Sequence, residues 1–311
     1  VQSKNPIIIF INSIVIFFIL LIYNIDIVHA RSRAPAWSCL WACFFSRRKF
    51  VTTFHGTYNF SGKFKHFYNS VMVRSKLIIG GSNFIFNHIN KNYQKYLNLK
   101  KKKLMVIFRG INLEYFDAKN TSEKQSNLLE LSWKIDKKNF IILLPGRLTK
   151  WKGQETFIES LSLLSENHRK ENFHAIILGS DQGREVYSKK LLLLVERYRL
   201  KKKITFINSC KEMPLAYKLS DLVISSSIEP EAFGRVAVEA QAMKRPIVAS
   251  DIGGSKETVL NGKSGLLYRY NDPNELAKAI NKVMEMDKKS LVLMGEQGRK
   301  NVEKKFNVDQ M

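Results

Sequence analysis

Hydrophobic positions in this chain follow two rhythms. Short apolar runs closed by Gly, Ser or Pro alternate with longer segments whose apolar positions recur every three or four residues. The runs at 25–29, 49–54, 76–79, 104–108, 140–144, 173–178, 204–207, 221–225, 246–250 and 265–268 read as strands. Residues 35–45, 82–96, 154–165, 184–199, 214–219, 273–286 and 288–305 read as helices, and another is expected after Gly234. Pro35 suits a first helical turn and Ser82 a cap. Strands alternating with helices throughout predict parallel sheets in doubly wound α/β domains. Residues 118–138 are polar and read as a linker, which divides the chain into 1–117 and 139–311.

The first segment fits neither rhythm. Residues 7–23 are apolar apart from Asn12 and Ser13. Seventeen residues span about 26 Å as a helix, short of the roughly 20 residues a bilayer requires. Lys4 before it and Arg31 and Arg33 after it set no orientation. No small-residue cleavage site follows, so a signal peptide fits poorly. The segment reads as a buried helix feeding the strand at 25–29, with a single transmembrane helix at 7–23 as the alternative.

Composition sharpens this picture in three places. A length of 311 residues with 45% apolar side chains is enough for two cores. A balance of 51 basic to 27 acidic residues, a formal +24, favours anionic partners: phosphorylated substrates, an anionic membrane surface or nucleic acid. Lysine-rich compositional drift would give the same balance. The basic runs at 100–103 and 201–203 have no interleaved aromatics, so no nucleic-acid partner is expected. Cys39, Cys43 and Cys210 are too few and too odd for a disulfide framework, which suits a reducing compartment. Cys39 and Cys43 lack the companion ligands of a zinc site and read as packing residues.

Candidate chemistry concentrates between Ser225 and Gly265. Glu231 and Glu239 flank Phe233-Gly234, where a strand end turns into a helix, and Gly253-Gly254 opens the next turn. That is the layout by which α/β folds hold phosphorylated ligands at the carboxyl ends of strands. Upstream, Arg147 and Lys152 follow another strand end. A planar guanidinium and a point-charge ammonium so placed can converge on one anionic group, or can be two solvated cations. Glu231 and Glu239 can equally be an acid near a helix N-terminus and a helix-surface residue.

Taken in order, four blocks narrow the choice: residues 146–153 (GRLTKWKG), the Glu231–Glu239 pair around Phe233-Gly234, 246–250 (PIVAS), and Gly253-Gly254 followed by Glu257. Together they resemble the retaining glycosyltransferases of family 4, and Thr53-Phe54-His55-Gly56 extends the resemblance into the first half. The resemblance implies a GT-B fold, two Rossmann-like doubly wound domains facing a cleft, with an acceptor side at 1–117 and a nucleotide-sugar side at 139–311. It implies that Arg147 and Lys152 hold the donor diphosphate and stabilise the leaving charge in place of a metal. No Asp-x-Asp pair stands near a strand end, so no metal and no cofactor beyond the nucleotide-sugar donor is expected. Glu239, about two turns into its helix, would accept from ribose hydroxyls, and Glu231 would contact the donor sugar. Phe233 and Gly234 would offer backbone N–H groups to the donor, and Cys210-Lys211 would lie beside the nucleobase. His55 would stand beside the transferred sugar. Arg31 and Arg33, after a strand end, could grip an anionic acceptor.

The family's N-terminal glycine-rich loop and an opening βα unit are absent before Ile7, so an N-terminally truncated chain is expected. The expected activity is retaining hexosyl transfer from a nucleoside diphosphate donor to a cell-surface glycan or lipid-linked acceptor, as in lipopolysaccharide-type biosynthesis. It would take place in the cytoplasm, peripheral to the inner face of the membrane. The alternative is an inactive or truncated nucleotide-sugar or glycan binder of the same fold.

Overall fold

The computed structural model describes residues 5–58, 62–97, 103–136, 138–166 and 172–311. Lys4 and Lys100–Lys102 of the first basic run fall outside them. The chain forms two compact units, Val1–Phe108 and Arg109–Met311.

The first unit runs α1 (Pro6–Ile22), β1 (Ile27–Ala30), α2 (Arg33–Ser46), β2 (Lys49–Phe54), α3 (Lys63–Asn69), β3 (Leu77–Gly80), α4 (Asn83–Tyr93) and β4 (Lys103–Val106). Its four strands are parallel in the order β1-β2-β3-β4. Parallel neighbours need crossover connections, which the helices provide. Phe54, Val71, Met72, Ile78, Ile85, Ile89 and Tyr93 are fully buried and form its core. The sequence pattern does not reveal α3 or the 3-10 turn Ser70–Val73 behind it. That turn is held by tertiary contact: the Thr52 hydroxyl donates to the Met72 carbonyl at 2.6 Å.

Helix α1 forms where its apolar run predicts, with Pro6 in its first turn and the Asn5 side chain accepting from the Ile7 amide. The expectation that it is buried fails. It meets α2 along a narrow stripe of Ile9, Ser13 and Leu20, where the Ser38 hydroxyl donates to the Ile9 carbonyl at 2.9 Å. The helix is apolar all round, so one stripe of contact leaves Ile7, Phe10, Ile11, Ile14, Phe18 and Ile22 exposed. No described helix is long and apolar enough to cross a membrane. Cys39 and Cys43 are buried in α2 as free thiols, and burial pushes them up to about 11 and about 12.

The second unit runs α5 (Glu123–Trp133), β5 (Phe140–Pro145), α6 (Gln154–Glu166), β6 (Phe173–Leu178), α7 (Glu185–Arg197), β7 (Ile204–Ile207), α8 (Met213–Leu219), β8 (Leu222–Ser225), α9 (Arg235–Ala242), β9 (Ile247–Ser250), α10 (Ser255–Thr258), β10 (Gly265–Tyr268), α11 (Pro273–Met284) and α12 (Lys288–Lys305). All six strands are parallel, in the order β10-β9-β8-β5-β6-β7. Buried on both faces, they read as continuous apolar runs rather than alternating ones. Phe157 and Leu161 of α6 and Leu276, Ile280 and Val283 of α11 close over the sheet. Each such side chain contributes about 1.5–3 kcal/mol of burial. The chain starts at β5 and winds first one way, then the other, so the order reverses between β5 and β8. Ligands of such sheets bind outside the carboxyl ends of the strands at that reversal.

The boundary lies earlier than the sequence suggests. Residues 109–117 belong to the second unit. The Ile111 amide donates to the Phe306 carbonyl at 2.8 Å. Arg299 of α12 donates to the carbonyls of Phe116 and Ala242 at 2.7 and 2.9 Å and reaches Leu113 and Asp117. The supposed linker 118–138 carries α5, capped by Ser122 and tied to α8 by Lys218, which donates to Glu123 at 2.6 Å. Its leucines Leu128 and Leu131 face outward while Ser126 and Trp133 are buried, which is why its apolar pattern resembles no helix.

Candidate active site

The reversal point of the second sheet is where Arg147, Lys152 and Glu231 stand. Strand β5 ends at Pro145, and the chain passes through Gly146 and Arg147 into a 3-10 turn, Lys150–Lys152. Strand β8 ends at Ser225 and leads through Ser227 to Glu231. The two loops are stitched together: the Ser226 hydroxyl donates to the Lys152 carbonyl at 2.9 Å, and the Ile228 amide to the Trp151 carbonyl at 2.8 Å. Gly153 has φ +69° and a Cβ there would lie 1.9 Å from the Ser226 carbonyl oxygen, so only glycine permits this crossing.

Two side chains predicted from sequence meet directly. Lys152 donates from Nζ to Glu231 Oε1 at 2.6 Å, with side chains only 14% and 10% exposed. Ser227 donates its hydroxyl to the same oxygen. The Lys152 ammonium also lies 4.5 Å from the centre of the Trp151 ring, and the Arg147 guanidinium 6.0 Å from that ring. Trp151 and Ser227 therefore belong to the site, although sequence reading gave neither a role. Trp151 stands between two lysines in the 146–153 block, and that aromatic among cations was the available signal. The Gln154 side chain fixes the turn by donating to the Arg147 carbonyl at 2.9 Å, while the Arg147 side chain remains exposed.

Glu239 is the fifth residue of α9, little more than one turn in rather than two. It is buried yet fully engaged. Tyr217 of α8 donates to Oε2 at 2.7 Å, and Arg235 donates from Nε to Oε1 at 2.6 Å. Burial, with the Glu239 carboxylate adding to it, pushes the Tyr217 hydroxyl well above its ordinary range, so it stays protonated and donates. The Phe116 ring covers Tyr217, centre to centre 6.1 Å. A buried carboxylate with one buried and one exposed donor can exchange the exposed one, Arg235, for ligand hydroxyls.

Between the two glutamates the chain turns on Gly234, φ +86°, into α9. The Phe233 ring is buried against Phe306, 5.4 Å between centres. Its side chain is thus committed to packing. The Gly254 amide donates to the Glu231 carbonyl at 2.8 Å. A Cβ on Gly254 would come within 2.5 Å of the Phe233 Cα. The second glycine pair therefore lets the β9–α10 loop press on the Glu231–Phe233 segment.

Cys210 and Lys211 lie on the loop between β7 and α8, the helix that carries Tyr217. Cys210 donates its thiol to the Glu212 carbonyl at 3.3 Å, and burial pushes its pKa up, so it is a neutral thiol. Lys211 is exposed. No contact among the described residues joins either to Glu231 or Glu239. Among the described residues no three His, Cys, Asp or Glu side chains gather closely enough to hold a metal ion.

His55 belongs to the first unit, just past β2. Arg31, just past β1, donates from Nε to His55 Nε2 at 2.9 Å. Arg33, the first residue of α2, donates to Asn69 at 2.9 Å and lies 4.5 Å over the Tyr58 ring.

Comparison with known proteins matches both halves. The pattern for glycosyl transferases group 1 matches residues 128–301, and that for Glycosyltransferase Family 4 matches residues 2–115. The crystal structure of a glycosyltransferase from Rickettsia africae ESF-5 is 36% identical, with a TM-score of 0.89, covering 100% of this chain and 80% of that one. Anabaena Alr3699/HepE in complex with UDP and glucose shares the fold at 24% identity, TM-score 0.83, covering 96% of this chain and 78% of that one. The D-inositol 3-phosphate glycosyltransferase of Corynebacterium glutamicum (strain R) is 27% identical over 196 residues. That alignment takes in 62% of this chain and 46% of the Corynebacterium protein, so the chain spans about half the length of this relative. The paired parallel-sheet units are those of the GT-B fold.

Proposed function

Because the chain belongs to the group 1 glycosyl transferases, we propose that it transfers a hexose from a nucleoside diphosphate donor to a hydroxyl of a cell-surface glycan or lipid-linked acceptor, with retention at the anomeric carbon. The observation that carries this reading is the largely buried Lys152–Glu231 pair at the sheet reversal, beside the exposed Arg147. In the reaction the bond from the sugar C1 to the diphosphate oxygen breaks. The acceptor oxygen bonds to C1 on the same face, and its proton passes to the departing diphosphate. Arg147 and Lys152 neutralise charge as it develops on that diphosphate, and no metal is required for the purpose. Glu231 holds Lys152 in place through Oε1 and meets the donor sugar, while Glu239 receives the ribose hydroxyls as Arg235 swings away. Backbone N–H groups of 232–234 supply further donors at the start of α9.

The partners in this reading are the nucleotide sugar, the acceptor and an anionic membrane surface. The apolar exposed face of α1 and the basic first unit support a peripheral position at the inner face of the cytoplasmic membrane, as in lipopolysaccharide-type synthesis. The deciding experiment is turnover of UDP-glucose as probe donor by the full chain and by Arg147→Ala and Lys152→Ala. Each variant is expected to lose roughly 10²–10³ in rate. Unchanged rates in both would overturn the assignment.

A further inference from the structure

The first 108 residues contain 16 Lys and Arg but a single carboxylate, Asp26, and that one is paired with Arg48 at 3.4 Å. Every other cation of this unit must find a neutral partner or none within it. Two of them stand where a cation is least comfortable. Arg33 opens α2, a 14-residue helix, at the end that carries the positive half of the helix dipole. Ser32, at the cap position, makes no side-chain hydrogen bond to the first turn. Arg31 precedes it on the same loop, and β1 and β2 pair in register at Ala30 and Thr52, which puts Arg31 and His55 on one carboxyl edge of the sheet.

Both guanidinium groups reach the segment that follows β2. Arg31 takes His55 with Nε and has no other hydrogen bond among the described residues, so its two terminal nitrogens form an open fork. Arg33 stacks on Tyr58, three residues further on, and is braced by the buried Asn69. Two cations, an imidazole nearby and a helix N-terminus share one strand edge without a carboxylate. Those contacts place the two guanidinium groups but leave their charge uncompensated, and an oxyanion would compensate it through charge-assisted, bidentate bonds.

We propose that Arg31 and Arg33 bind an oxyanion, phosphoryl or carboxylate, carried by the acceptor. This inference rests on the glycosyltransferase reading for the word acceptor, but not for the anion. Arg31 serves two ends: its fork takes the anion while Nε keeps the His55 ring oriented beside it. The acceptor is thereby an acidic sugar or a sugar phosphate rather than a neutral glycan.

The test is calorimetric binding to the full chain of glucose, glucose 6-phosphate, glucuronate and inorganic phosphate, with UDP titrated into the same samples. The two anionic sugars are expected to bind at least about tenfold tighter than glucose, the scale of one charge-assisted bond, and tighter than inorganic phosphate. Arg31→Ala, an exposed position, is expected to abolish that preference, and Arg33→Lys to weaken it, with UDP affinity unchanged in both. Lys63→Ala removes the same charge from the same unit and is expected to keep the preference. Equal binding of glucose and glucose 6-phosphate overturns the proposal, as does a preference that survives Arg31→Ala. A loss as large in Lys63→Ala overturns it in favour of the unit's overall field, and inorganic phosphate binding as tightly as the sugar phosphate overturns the acceptor assignment. Absence of UDP binding alongside an intact anion preference counts against the transferase reading alone.

Discussion

Tyr217 and Glu239 are joined by a hydrogen bond that solvent does not reach. Tyr217 is 0% exposed and donates at 2.7 Å to a carboxylate that is itself 7% exposed. Tyr217→Phe keeps the ring and its packing but leaves Oε2 of Glu239 unpaired. An unsatisfied buried acceptor costs about 1–3 kcal/mol, to be read from urea unfolding. Donor KM is expected to rise more than kcat falls, because the carboxylate loses its orientation. Unaltered UDP affinity would reduce Tyr217 to a packing residue.

Lys152 and Glu231 act as one unit if the ion pair between them is functional. Lys152→Met and Glu231→Gln each lower transfer by roughly 10² or more. The double variant is expected to be little worse than either, which corresponds to a coupling of about 2.7 kcal/mol in the cycle. Fully additive losses would separate the two roles.

Gly254 lies against backbone that cannot yield. The Cβ of Gly254→Ala would fall 2.5–2.7 Å from the Phe233 Cα, C and N atoms. The substitution is expected to lower stability by about 1–3 kcal/mol and to weaken UDP binding by displacing the Glu231–Phe233 segment. A variant with wild-type melting and UDP titration would show that the β9–α10 loop moves freely.

Acid stability depends on imidazoles whose surroundings disfavour the charged ring. Burial lowers the pKa of His29, His88 and His174 below the ordinary 6.5, with Arg31 adding to the effect at His29. The unfolded chain therefore binds protons below about pH 6.5 that the folded chain refuses, and stability falls as pH drops through that window. Urea midpoints at pH 7.5, 6.5 and 5.5 should decline in that order, before most carboxylates titrate. A flat profile over this range would contradict the lowered pKa of these rings.

The membrane proposal makes a separable prediction. The full chain should pellet with vesicles containing phosphatidylglycerol, and part of that binding should survive 1 M salt, where charge is screened within about 3 Å. Phe18→Ser with Ile14→Ser on α1 should remove the salt-resistant part. Binding that salt abolishes completely would leave α1 without a membrane role, and no binding at all would remove the membrane from the partners.

Strands and the Glu231–Glu239 region were legible because buried parallel strands are continuous apolar runs closed by glycine. Strands β2, β6, β7 and β10 fall where the pattern puts them. What stayed hidden depends on contacts distant in sequence. Helix α5 buries a serine and a tryptophan and shows Leu128 and Leu131 to solvent, so no periodicity exposes it. The exposure of α1 follows from the scarcity of neighbours, which an apolar run does not encode. At the site, the carboxylates and cations could be named from spacing alone. Their supports could not: Tyr217 reaches Glu239 from 22 residues away, and Ser227 meets Lys152 only through a shared oxygen of Glu231.

The clasp of Arg299 on Leu113, Phe116 and Asp117 bears on how this protein can be dissected. A fragment cut at the apparent linker, beginning at residue 139, would contain every strand of the second sheet. It would also strip Arg299 of three acceptors and remove the Phe116 ring from Tyr217. Water would then compete for the hydroxyl that aligns Glu239. The nine residues from Arg109 to Asp117 are in that sense a cork for the Tyr217–Glu239 end of the second unit, which begins at Arg109.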